Sequence, residues 1–418
     1  MSADDAGDPS EDRLDGTDPA TVRAAIESGD PLPGTAGFAG RVDDLLVRDA
    51  LGRRPLFVDE AAGGRDEGSR GGDEGDRVGR GDSGDGAGDE WSFDPTDLES
   101  PRSLPAGTVR DLAASAASGG DRERPIWSLP DPEPAARADA QAAVTEAVRA
   151  SVGGVETRDD PGNARVAVAF SGGVDSAVVA AGIPDAPLYV VGFEGAHDVA
   201  AARDAADEMG RRGDLRVVEL SHADLRRAVP ELVATTGRRN PMDLSIALPL
   251  YLVAERVAAD GYDRLAVGQG ADELFGGYAK VVDPSADDRV DADTVRGARR
   301  ETVLTLPDQL ERDVLALRAA GVEPVAPLLH DRVVAAALSL PGDLLVAGDE
   351  RKVALRTAAD GLVPDEVRST DKKAVQYGTY VSRELDRLAR RAGFKRRMDD
   401  HVGRYVASLC DEEYESTA

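Results

Sequence analysis

An apolar run at residues 166–170 ends in Ser171-Gly172-Gly173-Val174-Asp175-Ser176 and passes straight into the helix-compatible stretch 177–181. A strand that turns through two glycines into a helix is one half of a parallel β-α unit, and it demands a buried sheet with helical crossovers. The same turn suits an anionic ligand. Glycines let the backbone approach closely, the first N–H groups of the helix point outward, and Ser171 and Ser176 add hydroxyl donors. Asp175 is tolerable beside phosphate only with a divalent cation between them.

Further apolar runs at 188–193, 215–220 and 264–267 alternate with helical spacing, as at 198–212 and 246–259. The expected fold is therefore α/β, a doubly wound parallel sheet, preceded by a smaller β-rich N-terminal domain. The expected boundaries are a disordered acidic leader over 1–20, the β-rich domain over 21–130, the nucleotide-binding domain over 131–395, and a helical tail over 396–418. Residues 61–90, almost all Gly, Asp, Glu and Arg, read as a disordered insertion. From about 308 to 389 the pattern reads as wholly helical.

Composition narrows the partners. The net charge of −29 comes from 79 acidic residues against 50 basic ones, spread along the whole chain. Arginine supplies nearly all the positive charge, lysine occurring only at Lys280, Lys352, Lys372, Lys373 and Lys395. An acidic, lysine-poor surface of this kind is of haloarchaeal type and argues against nucleic acid as a partner. One cysteine, Cys410, excludes intrachain disulfides and paired-cysteine zinc sites. No apolar run approaches a membrane span, and the acidic beginning is unlike a signal peptide, so a cytoplasmic location is expected.

A second motif, Gly268-Gln269-Gly270-Ala271-Asp272-Glu273-Leu274-Phe275-Gly276-Gly277-Tyr278, follows the 264–267 run. An acidic pair facing a phosphate would repel it, so Asp272 and Asp175 together read as a two-carboxylate Mg²⁺ site. The two motifs together resemble the synthetase domain of the asparagine synthetase family, and the resemblance extends over about residues 135–392. It implies a sheet of the adenine nucleotide α-hydrolase-like kind, with ATP and Mg²⁺ as cofactors. Ser171, Gly172, Gly173, Asp175 and Ser176 would hold the phosphates, and Gly192, Phe193 and Gly268 would frame the adenosine. It further implies Lys372 as catalytic lysine, with Lys373 in the adjacent register, and Glu273 beside them. Gln269, Glu323 and Lys352 are substrate-binding candidates.

The resemblance has departures. Family members read Glu-Val-Arg-Val-Pro-Phe-Leu-Asp where this chain has Glu323-Pro324-Val325-Ala326-Pro327-Leu328-Leu329-His330, and Gln269 stands where asparagine-forming enzymes carry Glu. Both put aspartate as acceptor in question. Residues 47–57 and 100–109 resemble parts of a class II glutaminase domain. That chemistry is missing: position 2 is Ser2 rather than cysteine, and the first asparagine is Asn163. The expectation is an AMP- and pyrophosphate-forming amide synthetase that joins a small-molecule carboxylate to ammonia or an amine, with a separate glutaminase as one source of ammonia. The alternatives are a tRNA-modifying ATP pyrophosphatase and a non-catalytic nucleotide-binding regulator. Oligomeric state is not legible.

Overall fold

The computed structural model describes residues 12–60, 91–114, 122–155, 165–370 and 377–416. The N-terminal part contains β1 (Arg13–Asp15), α1 (Pro19–Ser28), β2 (Ala39–Val42), β3 (Leu45–Arg48), β4 (Phe57–Asp59), β5 (Trp91–Ser92), β6 (Pro101–Ser103), β7 (Thr108–Asp111) and β8 (Glu123–Pro125). These form two antiparallel sheets, ordered β1-β2-β3-β7-β8 and β5-β4-β6. One small apolar cluster, around Phe38, Val47 and Trp127, joins Val22 and Ala25 of α1 to the five-stranded sheet; another, around Leu46, Leu56 and Trp91, joins the two sheets.

Within the stretch expected as a disordered leader, residues 13–15 form β1 and α1 begins at Pro19. Leu14 pairs with Gly40 across β1 and β2, and Asp18 caps α1 by accepting the Thr21 N–H at 2.9 Å. A three-residue strand carries no periodicity of its own; its partner supplies the pairing. Residues 1–11 and the 61–90 insertion lie outside the described residues.

The larger sheet is parallel throughout. After α2 (Arg137–Gly153) come β9 (Val166–Ala169), α3 (Val174–Gly182), β10 (Leu188–Phe193), α4 (His197–Glu208), β11 (Leu215–Leu220), α5 (His222–Thr236), α6 (Pro241–Ala259), β12 (Arg264–Ala266), α7 (Ala271–Phe275), α8 (Val295–Leu304), α9 (Leu306–Ala319) and β13 (Glu323–Val325). Their spatial order is β11-β10-β9-β12-β13. The chain steps outward from β9 to β11, then crosses to β12 on the other side of β9. That reversal opens a crevice at the carboxyl ends of β9 and β12, where ligands of doubly wound sheets sit. Both glycine motifs follow those two strands. One apolar layer covers each face of the sheet, α2, α3 and α4 on one side and α5 and α6 on the other.

Beyond β13 lie α10 (Asp331–Leu338), α11 (Gly342–Leu345), the hairpin β14 (Val346–Ala347) and β15 (Glu350–Arg351), α12 (Val353–Ala358), α13 (Asp365–Arg368), α14 (Tyr377–Arg391) and α15 (His401–Ser416). The wholly helical reading of 308–389 is thus corrected by β13, which pairs with β12 through Leu265 and Pro324. Proline has no N–H for a further ladder, so β13 suits the sheet edge it occupies. Cys410, the single cysteine, forms no intrachain disulfide. No described helix is long and apolar enough to cross a membrane.

Buried charges bind the N-terminal sheets to the larger domain. Arg53, 4% exposed, donates to Asp49 Oδ1 at 2.9 Å and Leu329 O at 2.7 Å, and pairs with Asp331 Oδ1 at 2.7 Å. Asp331 Oδ2 in turn accepts the N–H groups of Gly34 and Thr35. Arg48, also buried, bonds Ser103 Oγ and Leu104 O and pairs with Glu311 on α9 at 3.2 Å.

Candidate active site

The phosphate-loop candidate leaves β9 and opens α3. Gly172 sits at φ +76°, and a Cβ there would meet Ala201 O at 2.6 Å, so the close approach to α4 requires glycine. Gly173 precedes the helix in extended conformation, with no side-chain cap on α3. Ser176 Oγ accepts the Ser171 N–H and donates to Gly173 O, both at 3.1 Å. The loop is therefore shaped by its own serine.

The second motif approaches it closely. A Cβ on Gly268 would lie 3.0 Å from that of Asp175. On α7, Asp272 faces Asp175, and between them lies Lys352. Its Nζ is 2.7 Å from Asp175 Oδ2 and 2.6 Å from Asp272 Oδ1. Burial alone would lower the pKa of Lys352, but the two carboxylates outweigh it and hold the ammonium above its ordinary value. Lys352, a substrate-binding candidate, is thus placed between the two metal candidates. It adopts a left-handed backbone, φ +60°, just before α12. Arg351 donates to Gly277 O at 2.6 Å, and Arg356 donates through Nε to Arg351 O at 2.9 Å. Arg356 also reaches Arg368 O and Thr370 O. These groups enclose a pocket of about 120 Å³ with Gly173 and Tyr278.

Two carboxylates near enough to share one ammonium are near enough to share one metal ion. Among the described residues no group of three or more His, Cys, Asp or Glu is poised to hold a metal. A carboxylate pair of this kind could hold Mg²⁺, which takes one or two carboxylates and completes its shell with phosphate oxygens and water.

Beside this pocket a cavity of about 280 Å³ opens between the strand ends, α6 and α9. It is lined by Ser171, Ser176, Gly268, Gln269, Glu273 and Asp313, with Ile246, Leu250 and Leu306 as apolar wall. Glu273 is buried, its carboxyl pushed up to about 7 by desolvation first and by Asp272 second. Tyr278 donates its hydroxyl to Glu273, and Thr302 donates to the Glu273 carbonyl at 3.3 Å. Asp313 escaped the sequence analysis. It accepts Gln269 Nε2 at 2.6 Å and Arg312 Nε at 2.7 Å, and burial pushes its carboxyl up against the pull of Arg312. The available signal was spacing: Asp313 stands three residues after Leu310 and four before Leu317, on the buried stripe of α9.

Other candidates fall elsewhere. Gly192 and Phe193 end β10 and line a separate small crevice, which shares Pro249 with the main cavity. Glu323 is not at the phosphate loop; on edge strand β13 it pairs with Arg54 and Arg318. It lines a third cavity, about 340 Å³, between the N-terminal sheets and the larger domain, together with Arg53, Arg54 and His330. Gln269 and Leu310 border both this cavity and the one beside the phosphate loop. His330 caps α10 through Nδ1, and burial with the nearby Arg332 lowers its pKa. Lys372 and Lys373 lie outside the described residues.

The family model for asparagine synthase matches residues 161–301 and 285–413, more than half of the chain. The chain belongs to the asparagine synthase family. The family match takes in both glycine motifs, Lys352 and α14. A putative glutamine-hydrolyzing asparagine synthetase 1 of Methanocaldococcus jannaschii is 27% identical over 284 residues, 59% of this chain and 52% of that protein. Asparagine synthetase B of Escherichia coli is 24% identical over 236 residues, 51% of this chain and 41% of that one. The chain thus spans about half the length of these relatives. Among solved structures, a U34-tRNA thiolase of Methanococcus maripaludis aligns at TM-score 0.26 and 14% identity, covering 66% of this chain and 81% of that one, too loosely to carry an argument.

Proposed function

We propose that this asparagine synthase family member is an ATP-dependent amide synthetase that forms AMP and pyrophosphate. The observation that carries the reading is the convergence of Asp175, Asp272 and Lys352 at the mouth of the phosphate-loop candidate. Asp175 and Asp272 would hold Mg²⁺, which when bound neutralises phosphate charge. The N-terminal end of α3 and the Ser171–Ser176 turn cradle the phosphates. A substrate carboxylate oxygen attacks the α-phosphorus, the bond to the bridging oxygen breaks, and pyrophosphate leaves. Ammonia or an amine then attacks the acyl carbon, AMP departs, and the nitrogen gives up a proton.

Lys372, with Lys373 in the adjacent register, supplies positive charge to the first step in this reading. Glu273, buried with its carboxyl near 7, is suited to exchange a proton at neutral pH. Asp313 and Gln269, which line the same cavity, orient the acceptor in this reading. The nitrogen in this reading comes from free ammonia, an amine substrate or a separate glutaminase. Aspartate is one candidate acceptor. The compartment in this reading is the cytoplasm, and the partners are small molecules.

ATP–pyrophosphate exchange across a panel of carboxylates, with ammonia and glutamine compared as donors, tests the reading. Exchange driven by one carboxylate and turnover with ammonia support it. Exchange that needs no carboxylate, or that needs RNA, overturns it.

A further inference from the structure

We propose that Lys352 is a placeholder cation: in the nucleotide-free protein its ammonium fills the position between Asp175 and Asp272 that a divalent metal takes, so metal enters only together with nucleotide phosphates. The inference rests on the metal role given to these two carboxylates above and assigns a separate role to the lysine.

Distance is the first argument. The Lys352 nitrogen lies 2.7 and 2.6 Å from the two carboxylate oxygens. Mg²⁺ binds carboxylate oxygens at about 2.0–2.1 Å. One gap between the same two oxygens has room for one cation, so the two occupants exclude each other.

The second argument is that the lysine is held there. Lys352 is 8% exposed, and a non-glycine residue in the left-handed region is kept only when its surroundings fix it. The surroundings are specific. Arg351 is tied to Gly277 O, Arg356 to Arg351 O, and Gly277 lacks the Cβ that would meet Lys352 Cε at 2.3 Å. In a chain that uses arginine almost everywhere, a lysine stands here, the side chain that brings a compact point charge on a flexible stem.

Exchange then needs a third party. Metal arriving alone would have to push a buried ammonium out of two ion pairs into a site with no new anion for it. A polyphosphate changes both sides of the exchange. It supplies oxygens to complete the metal's shell and anionic oxygens to receive the displaced ammonium. Binding of metal and nucleotide is therefore coupled through Lys352.

The test is a Mn²⁺ titration followed by electron paramagnetic resonance, with and without α,β-methylene-ATP. Wild-type protein is expected to take up one Mn²⁺ per chain only with the nucleotide. K352Q is expected to bind one Mn²⁺ without nucleotide at least tenfold more tightly than wild type. D272N/K352Q should lose that site, and K352R, which keeps the charge, should not gain it. Stoichiometric Mn²⁺ binding to nucleotide-free wild type overturns the inference, and this needs no variant to fold. Equal nucleotide-free affinities in wild type and a folded K352Q overturn it too, while leaving the metal reading intact. Wild type that binds no Mn²⁺ even with nucleotide overturns the metal reading and the inference together.

Discussion

Gly277→Ala concentrates the geometry of the site in one methyl group. A Cβ at this position would lie 1.8 Å from Asp272 Oδ1 and 2.3 Å from Lys352 Cε, where real Cβ atoms keep at least 3.0 Å. The backbone has little freedom to retreat. Its N–H donates to Asp272 O at 2.8 Å, and its carbonyl accepts from Arg351 at 2.6 Å. The carboxylate and the ammonium must therefore yield, by ~1 Å, and a displacement of that size at reacting groups costs on the order of 100-fold in rate. Overpacking of a tight site costs about 1–3 kcal/mol, which leaves a chain with a core this large folded. The expected result is a ~100-fold fall in kcat/KM for ATP–pyrophosphate exchange, with a modestly lowered thermal midpoint by circular dichroism. A G277A protein that exchanges within about threefold of wild type, at unchanged midpoint, refutes the argument that close packing of Gly277 sets this cation pair.

Three further outcomes are expected. Arg53→Met strands Asp49 and Asp331 in a buried seam, and breaking such a pair costs about 3–5 kcal/mol; urea unfolding should show the loss, and limited proteolysis should cut the N-terminal sheets faster, whereas unchanged unfolding would dismiss the seam as a stabilising element. Gln269→Glu places a second carboxyl against Asp313, so one of the two must carry a proton; the variant should be about 1–3 kcal/mol less stable at neutral pH and approach wild type as the pH falls, and a destabilisation independent of pH would contradict this. Asp386 is held well below the usual carboxylate range, first by hydrogen bonds from Arg396 and then by His401 and Arg390, against slight desolvation. Its native state binds fewer protons than the unfolded chain below the ordinary value of 3.8, so its contribution is present above that pH and lost as pH falls through the depressed value; acid unfolding of D386N should have a shallower limb there, and identical limbs would rule the contribution out.

Much of the fold was legible because signals lay close together in the chain. The apolar run into Ser171-Gly172-Gly173 marks β9, the turn and α3 at once, and Gly268–Gly270 marks the end of β12 in the same way. The proximity of Asp175 and Asp272 was expected from charge, since two acids near a candidate phosphate loop would need a cation between them, and the structure brings both to the Lys352 ammonium. What the chain hid was long-range. Strand β13 is three residues with a proline in the middle, and only its neighbour β12 makes it a strand. Lys352 reads as one scarce lysine among five, because its position depends on a left-handed backbone and on two carboxylates 80 and 177 residues away. Asp313 sits within Glu311-Arg312-Asp313, a charged triplet that usually marks a solvated helix face, yet all three are buried. The family's terminal Asp, absent at position 330, has a neighbour at Asp331, and only the structure gives that carboxylate its partner, Arg53.

The seam between the N-terminal sheets and the larger domain also constrains how such a sequence drifts over generations. Arg53 with Asp331, and Arg48 with Glu311, are charges that neither side can lose alone without leaving the other buried and uncompensated. Replacements at these positions should therefore arrive in pairs, and a relative that lacks one member should lack both. The joint between the two parts is thus expected to persist while exposed positions of the N-terminal sheets, which carry no buried partner, are free to vary.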